Sequence, residues 1–206
     1  MLAYDVEDYQ VSGASWMDSE RYDIVAKVPT GATKGQVRVM WQNLLAERFG
    51  AKLHHESKEF RVEELVTAKG GHKLKEVPPD PNEEGPPDFQ NGRLNGPGLV
   101  TMMETRADGP HARSVAKAQP LSKLTTMLWN QLRVPVLDKT GLTGRYDFDL
   151  EYTPRLNGVA PSAGASDPAP DIEDAIQRQL GLRLVASKAK LDVLTIDQAN
   201  KVPTAN

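Results

Sequence analysis

The chain has 206 residues, 39% of them hydrophobic and 26% charged, with a formal net charge of -3 and no cysteine. That composition belongs to an ordinary folded protein, long enough for one large domain or two small ones. The mildly acidic balance, with Lys and Arg scattered among acids, argues against non-specific nucleic-acid binding. The lack of cysteine excludes disulfides, thiolate metal sites and a Cys nucleophile, and no apolar run approaches the roughly 20 residues of a membrane-crossing helix.

Met1–Val6 reads as the last turn of a helix, and Tyr9–Ser12 as a short strand, followed by a loop carrying Trp16. Arg21-Tyr-Asp-Ile-Val-Ala-Lys-Val-Pro29 has strand character and is closed by proline. Thr33-Lys-Gly-Gln36 has the form of a capping box. The helix it opens sets Val37, Met40, Trp41, Leu44, Leu45 and Phe49 on one stripe and ends at Gly50. Lys52–Glu56 and Phe60–Ala68 then suggest a hairpin about Ser57-Lys58-Glu59, with Glu63-Glu64 marking a bulge or an edge. Gly70–Gly98 holds six prolines among glycines and acids and reads as a mobile linker.

Leu99–Arg106 and Arg113–Gln119 flank Asp108-Gly109 as a second hairpin. Leu121, Leu124, Leu128 and Leu132 make a helical stripe started by Pro120. The centre of the sequence is Val136–Tyr152: a short strand, a turn with Gly141 and Gly144, and a strand of perfect alternation. Tyr146, Phe148, Leu150 and Tyr152 share one face of that strand, and Asp147, Asp149 and Glu151 the other, so one face is buried and one wet. Arg155–Pro170 is loose in composition. Asp171 caps a helix that turns Ile172, Ala175, Ile176 and Leu180 inward and ends at Gly181. Leu182–Ser187 and Leu191–Asp197 read as a closing hairpin.

The halves suggest a duplication. Arg21-Tyr-Asp-Ile24 and Arg145-Tyr-Asp-Phe148 each open a strand that ends in proline. After each come a helix ending in Gly and a Lys/Arg-Leu strand at residue 52 or 183. The expected fold is α+β, with two β–α–β–β repeats whose hairpins pack on amphipathic helices. The first repeat spans 1–75, a Pro/Gly-rich linker 76–98, and the second repeat 99–206. Tyr22 and Tyr146 then occupy equivalent buried places, Tyr22 near Trp41 or Leu45 and Tyr146 near Leu128 or Ile176. The first repeat lacks the helix that precedes the second, so the sequence looks truncated inside a helix, with any signal peptide upstream.

Asp138-Lys-Thr-Gly141 matches the phosphorylated-aspartate signature of cation-pumping ATPases. However, Leu142 replaces the Thr of those pumps, and no later Gly-Asp-Gly is present to hold magnesium. A structural turn, with Asp138 and Thr140 bonding the backbone and Gly141 and Gly144 at positive φ, accounts for it better. His54 and Glu56 share a strand face and are candidate metal ligands, but His55 points away, and zinc needs three or four ligands. Asp138, Thr140, Arg145 and Asp147 are the candidate binding residues, and no catalytic residue is assigned. No Gly-x-Ser-x-Gly, Walker loop or dinucleotide fingerprint occurs.

Tyr9–Gly13, Trp16 with Asp18–Asp23, Leu44–Phe49, Lys52–His54, Ala68–Gly71, Val136–Asp147 and Val193–Asp197 together resemble a large family of uncharacterised bacterial proteins expanded in soil acidobacteria. The resemblance covers nearly the whole chain. It implies export, a further strand region before the first matched segment and, in some members, fusion to a membrane metallopeptidase of the β-lactam-sensor type. It assigns no catalytic residue, and members commonly carry Gly where this sequence has Arg133. The helix–strand–strand units are also similar to the short N-terminal domain of secretins and TonB-dependent receptors, an analogy of fold alone.

The expected function is a non-enzymatic extracytoplasmic binding or sensing module. It takes no cofactor, and its partner is an unknown protein or small ligand rather than nucleic acid. One alternative is a hydrolase or metal-dependent enzyme using His54/Glu56 or Asp147/Asp149. Another is a scaffold that pairs a sheet edge with a partner strand.

Overall fold

The computed structural model describes residues 3–79, 87–106, 109–155 and 170–204. In chain order these form β1 (Val11–Ser12), α1 (Lys34–Phe49), β2 (Lys52–Thr67), β3 (Lys75–Val77), β4 (Phe89–Gln90) and β5 (Arg93–Leu94). Then come β6 (Gly98–Arg106), β7 (Gly109–Gln119), α2 (Leu121–Leu132), β8 (Val136–Asp138), β9 (Arg145–Tyr152), α3 (Ile172–Ala175) and β10 (Leu182–Gln198). The fold class is α+β. The chain divides into two compact units, 1–60 with 189–206, and 61–188.

In the first unit, α1 forms as its sequence dictates. Thr33 Oγ1 accepts the Gln36 N–H while the Gln36 side chain accepts the Thr33 N–H at 2.8 Å, and Gly50 closes the helix with φ 58°. β10 lies between β1 and β2, running parallel to β1 with Val11 opposite Leu194. Phe49, Val193 and Leu194 are buried, but the rest of the α1 stripe is only half-covered, and Met40 and Val39 are exposed.

Three expectations fail here. Arg21–Pro29 has no secondary structure. A strand without a neighbour gains no ladder hydrogen bonds, and none of the described strands pairs with this stretch. Lys52–Thr67 is one continuous strand rather than a hairpin, and so is Leu182–Gln198. Neither presumed turn contains the Gly, Asn or Pro that a tight reversal requires, so polar residues there only marked a wet strand face.

In the second unit, β3-β9-β7-β6 form an antiparallel sheet. Its inner face, including Tyr146, Phe148, Leu150 and Tyr152, packs with Leu124 and Leu128 of α2 and with Ile172, Ile176 and Leu180 of the α3 segment. The β9 alternation is therefore real, with those four side chains at 2, 6, 0 and 0% exposure. Asp171 caps α3 through a 2.8 Å bond from the Asp174 N–H, and the helix continues as a π-turn over Ile176–Leu180. Gly181 ends it with φ 64°, and a Cβ there would collide with the Gly71 carbonyl, so glycine is required twice over. β8 pairs parallel with Glu63–Leu65 of β2, so the Glu63-Glu64 pair sits within a ladder rather than at a bulge.

The stretch read as a linker is structured where it is described. β4 and β5 pair as a small hairpin, and Leu74 and Leu94 are buried. Residues 80–86, 107–108 and most of the loose stretch 155–170 lie outside the described residues. The duplication is not seen as two β–α–β–β units. The strand Arg21–Pro29 that should match β9 is missing, and Tyr22, at 38% exposure, packs on Phe49 while Tyr146 is buried. What the halves share is a Gly-capped helix followed by one long strand: α1 with β2, and α3 with β10.

Candidate interaction surface

The acidic face of β9 is fully engaged. Asp147 accepts the Ala118 N–H at 2.9 Å, which stabilises the bulge where Ala118 takes φ 51° and the β7–β9 register shifts. Arg113 donates to both oxygens of Asp149, through Nε at 2.8 Å, and Arg106 Nη1 donates to Glu151 at 2.7 Å. These bonds raise the pKa of both guanidinium groups. The stripe is a cross-strand ladder of neutralised charges.

Asp138 and Thr140 build the turn after β8. Asp138 Oδ1 accepts the Thr140 N–H at 2.9 Å and its hydroxyl at 2.7 Å, and Thr140 Oγ1 accepts the Leu142 N–H. Gly141 has φ 74°, but Gly144 does not take a positive φ, contrary to expectation. A Cβ on Gly144 would instead lie 2.6 Å from Glu76 Oε1 and 2.9 Å from the Tyr146 hydroxyl, so close approach explains it. Arg145 borders a shallow groove with Glu76, Pro78 and Thr143.

His54 and Glu56 do share a face, and both meet β10. His54 Nδ1 lies 2.9 Å from both Asp197 oxygens, while Glu56 accepts from Thr195 Oγ1 and pairs with Lys58 Nζ at 2.9 Å. The Asp197 bond raises the His54 pKa, and the Thr195 and Lys58 bonds lower that of Glu56. On the opposite face His55 meets Asp192 at 2.6 Å. Among the described residues no group of three His, Asp or Glu could hold a metal. Asp197, Thr195 and Asp192 were missed because β10 read as a hairpin, which hid their register against β2.

Sequence reasoning also missed a cleft of about 350 Å³ lined by Glu63, Leu132, Arg155, Glu173, Arg183 and Leu184. Burial raises the Glu63 pKa, and the neighbouring Glu173 charge adds to the shift. Arg155 donates to Glu173 Oε1, while Oε2 has no hydrogen-bond partner among the described residues. The visible signal was two acids within an apolar strand.

The segment Arg21–Pro29 differs from all of these. Tyr22 anchors its start: the ring packs edge-on against Phe49 at 5.1 Å, and the hydroxyl donates to the Lys201 carbonyl at 2.6 Å. Its end is held by the turn in which the Ala32 N–H bonds Pro29 O, just before the Thr33 cap. Between these anchors Ile24 is 39% exposed, Val28 54% and Val25 100%. Among the described residues no backbone hydrogen bond involves Tyr22–Val28, and Asp23 and Lys27 form no ion pair. Apolar side chains with strand-like spacing are thus left in solvent between two fixed points.

A family model described as "Protein of unknown function (DUF3738)" matches residues 1–199. The chain belongs to that family. No curated protein and no solved structure matches it. Among the described residues no helix is long and apolar enough to cross a membrane.

Proposed function

We propose that this chain is a non-enzymatic interaction module that presents Arg21–Pro29 to a partner strand, and that it works outside the cytoplasm. The observation that carries this is the exposure of Ile24, Val25 and Val28 on a strand-patterned segment with unbonded backbone. Burying such side chains stabilises an interface by about 25 cal/mol per Å² of apolar area, and main-chain bonding to an added strand supplies the geometry. The anchors at Tyr22 and Pro29 keep the segment in place, so little ordering entropy opposes association. The extracytoplasmic part rests on the resemblance to exported bacterial proteins, as does fusion of some members to a membrane metallopeptidase. The His54/Glu56 and Asp147/Asp149 clusters favour this reading over a hydrolase, because their polar atoms are spent on cross-strand pairs.

The test is thermal melting of Val25→Asp and Val28→Asp in dilute solution. Neither side chain supports the fold in this account, so both variants should melt within about 0.5 kcal/mol of the parent, the range for surface changes. A loss of several times that amount would show the segment to be packed into the fold and would remove the surface.

A further inference from the structure

The free segment is complementary to itself. Laid antiparallel on a second copy about Val25, it sets Asp23 opposite Lys27 and Lys27 opposite Asp23. The same register pairs Ile24 with Ala26 and Tyr22 with Val28, and brings the two fully exposed Val25 side chains together on the axis. Inside the end pair of Arg21 with Pro29, every directly opposed pair is therefore apolar with apolar-bodied or opposite in charge, the pairings that stabilise an antiparallel ladder. A one-residue slip would remove both charge pairs and set Asp23 against Ala26 or Val28. A contact that repeats itself by a two-fold rotation closes after two copies, so it yields a dimer and not a fibre.

Resting on the reading of this segment as the interaction surface, we infer that the partner is a second copy of this chain, paired antiparallel through Arg21–Pro29. Asp23 and Lys27 set the register. Neither has another ion-pair partner among the described residues, so the dimer uses charges that the monomer leaves idle. Val25 and Ile24 supply the buried apolar area.

Sedimentation equilibrium of the full chain across the micromolar range tests this, with a charge-reversal cycle. The parent should show a monomer–dimer equilibrium. Asp23→Lys and Lys27→Asp should each weaken it by about tenfold or more, since each change converts two attractive opposed pairs into repulsive ones. An equimolar mixture of the two variants should recover the parent affinity, because attraction then returns at both positions. A parent that stays monomeric overturns the inference, as does a dimer indifferent to both substitutions or a mixture that fails to recover. If the chain is monomeric while Val25→Asp and Val28→Asp leave the melt unchanged, only the second copy is lost as partner. If those variants unfold the chain, the surface itself is lost.

Discussion

His54 holds both carboxylate oxygens of Asp197 at 2.9 Å from its Nδ1, across the two long strands of the first unit. The bond raises the imidazole pKa in the folded state. A raised folded pKa means that the pair's stabilisation is fully present below the unfolded histidine value. It is lost as pH rises through the folded value. An NMR titration of the His54 ring should therefore place its midpoint above the usual imidazole value of about 6.5. Asp197→Asn should return it toward that value. A midpoint unmoved by Asp197→Asn would mean that the pair is not formed in solution.

Arg133 ends α2 with φ 55°, a left-handed conformation that costs a side chain with a Cβ. Arg133→Gly should raise stability by about 0.5–1 kcal/mol, the strain relieved less the extra chain entropy of glycine. A lowered melting temperature would contradict this.

At Gly144 the constraint is space. A Cβ would press on Glu76 Oε1 and the Tyr146 hydroxyl, so Gly144→Ala should destabilise by about 1–3 kcal/mol, the usual cost of overpacking. Adding Glu76→Ala should recover part of that loss. If the double variant is no better than the single one, the clash lies elsewhere.

Tyr22 and Tyr146 share the sequence Arg-Tyr-Asp yet differ in burial, at 38 and 2% exposure. Tyr146→Ala should cost about 3–5 kcal/mol as a large core truncation. Tyr22→Ala should cost less than half as much, because 38% of that residue already meets water. Equal losses in chemical denaturation would restore the idea of equivalent positions.

Glu63 has its pKa raised by burial and by Glu173. A carboxyl group with a raised folded pKa favours the folded state while protonated and opposes it as pH rises through the folded value. Glu63→Gln should therefore raise the melting temperature at neutral pH and leave it unchanged in acid. A variant less stable at neutral pH would show that the carboxylate has a partner holding its charge.

These residues also show where the sequence was readable. Helix ends were legible because caps are local chemistry: Thr33 with Gln36, Asp171 with Asp174, and the glycines at 50 and 181 all act within one turn. The β9 alternation was legible because one face meets a core. The long strands β2 and β10 were not, because an uninterrupted strand with two polar stretches resembles a hairpin until its neighbour is known. The same non-local rule hid His54–Asp197 and the pairing of Glu63 with Glu173 in its cleft, each of them partners more than a hundred residues apart in sequence. It also made Arg21–Pro29 look like a strand, which its pattern permits and its lack of a neighbour prevents.

Amide hydrogen exchange over residues 23–28 decides whether this segment is unpaired in the free chain. In dilute, folded chain these N–H groups have no backbone acceptor among the described residues, so they should exchange close to the unprotected rate while Tyr146–Tyr152 stay protected. They should gain protection as the chain associates. Strong protection at the lowest concentration would show that the segment is already paired, and would contradict the account.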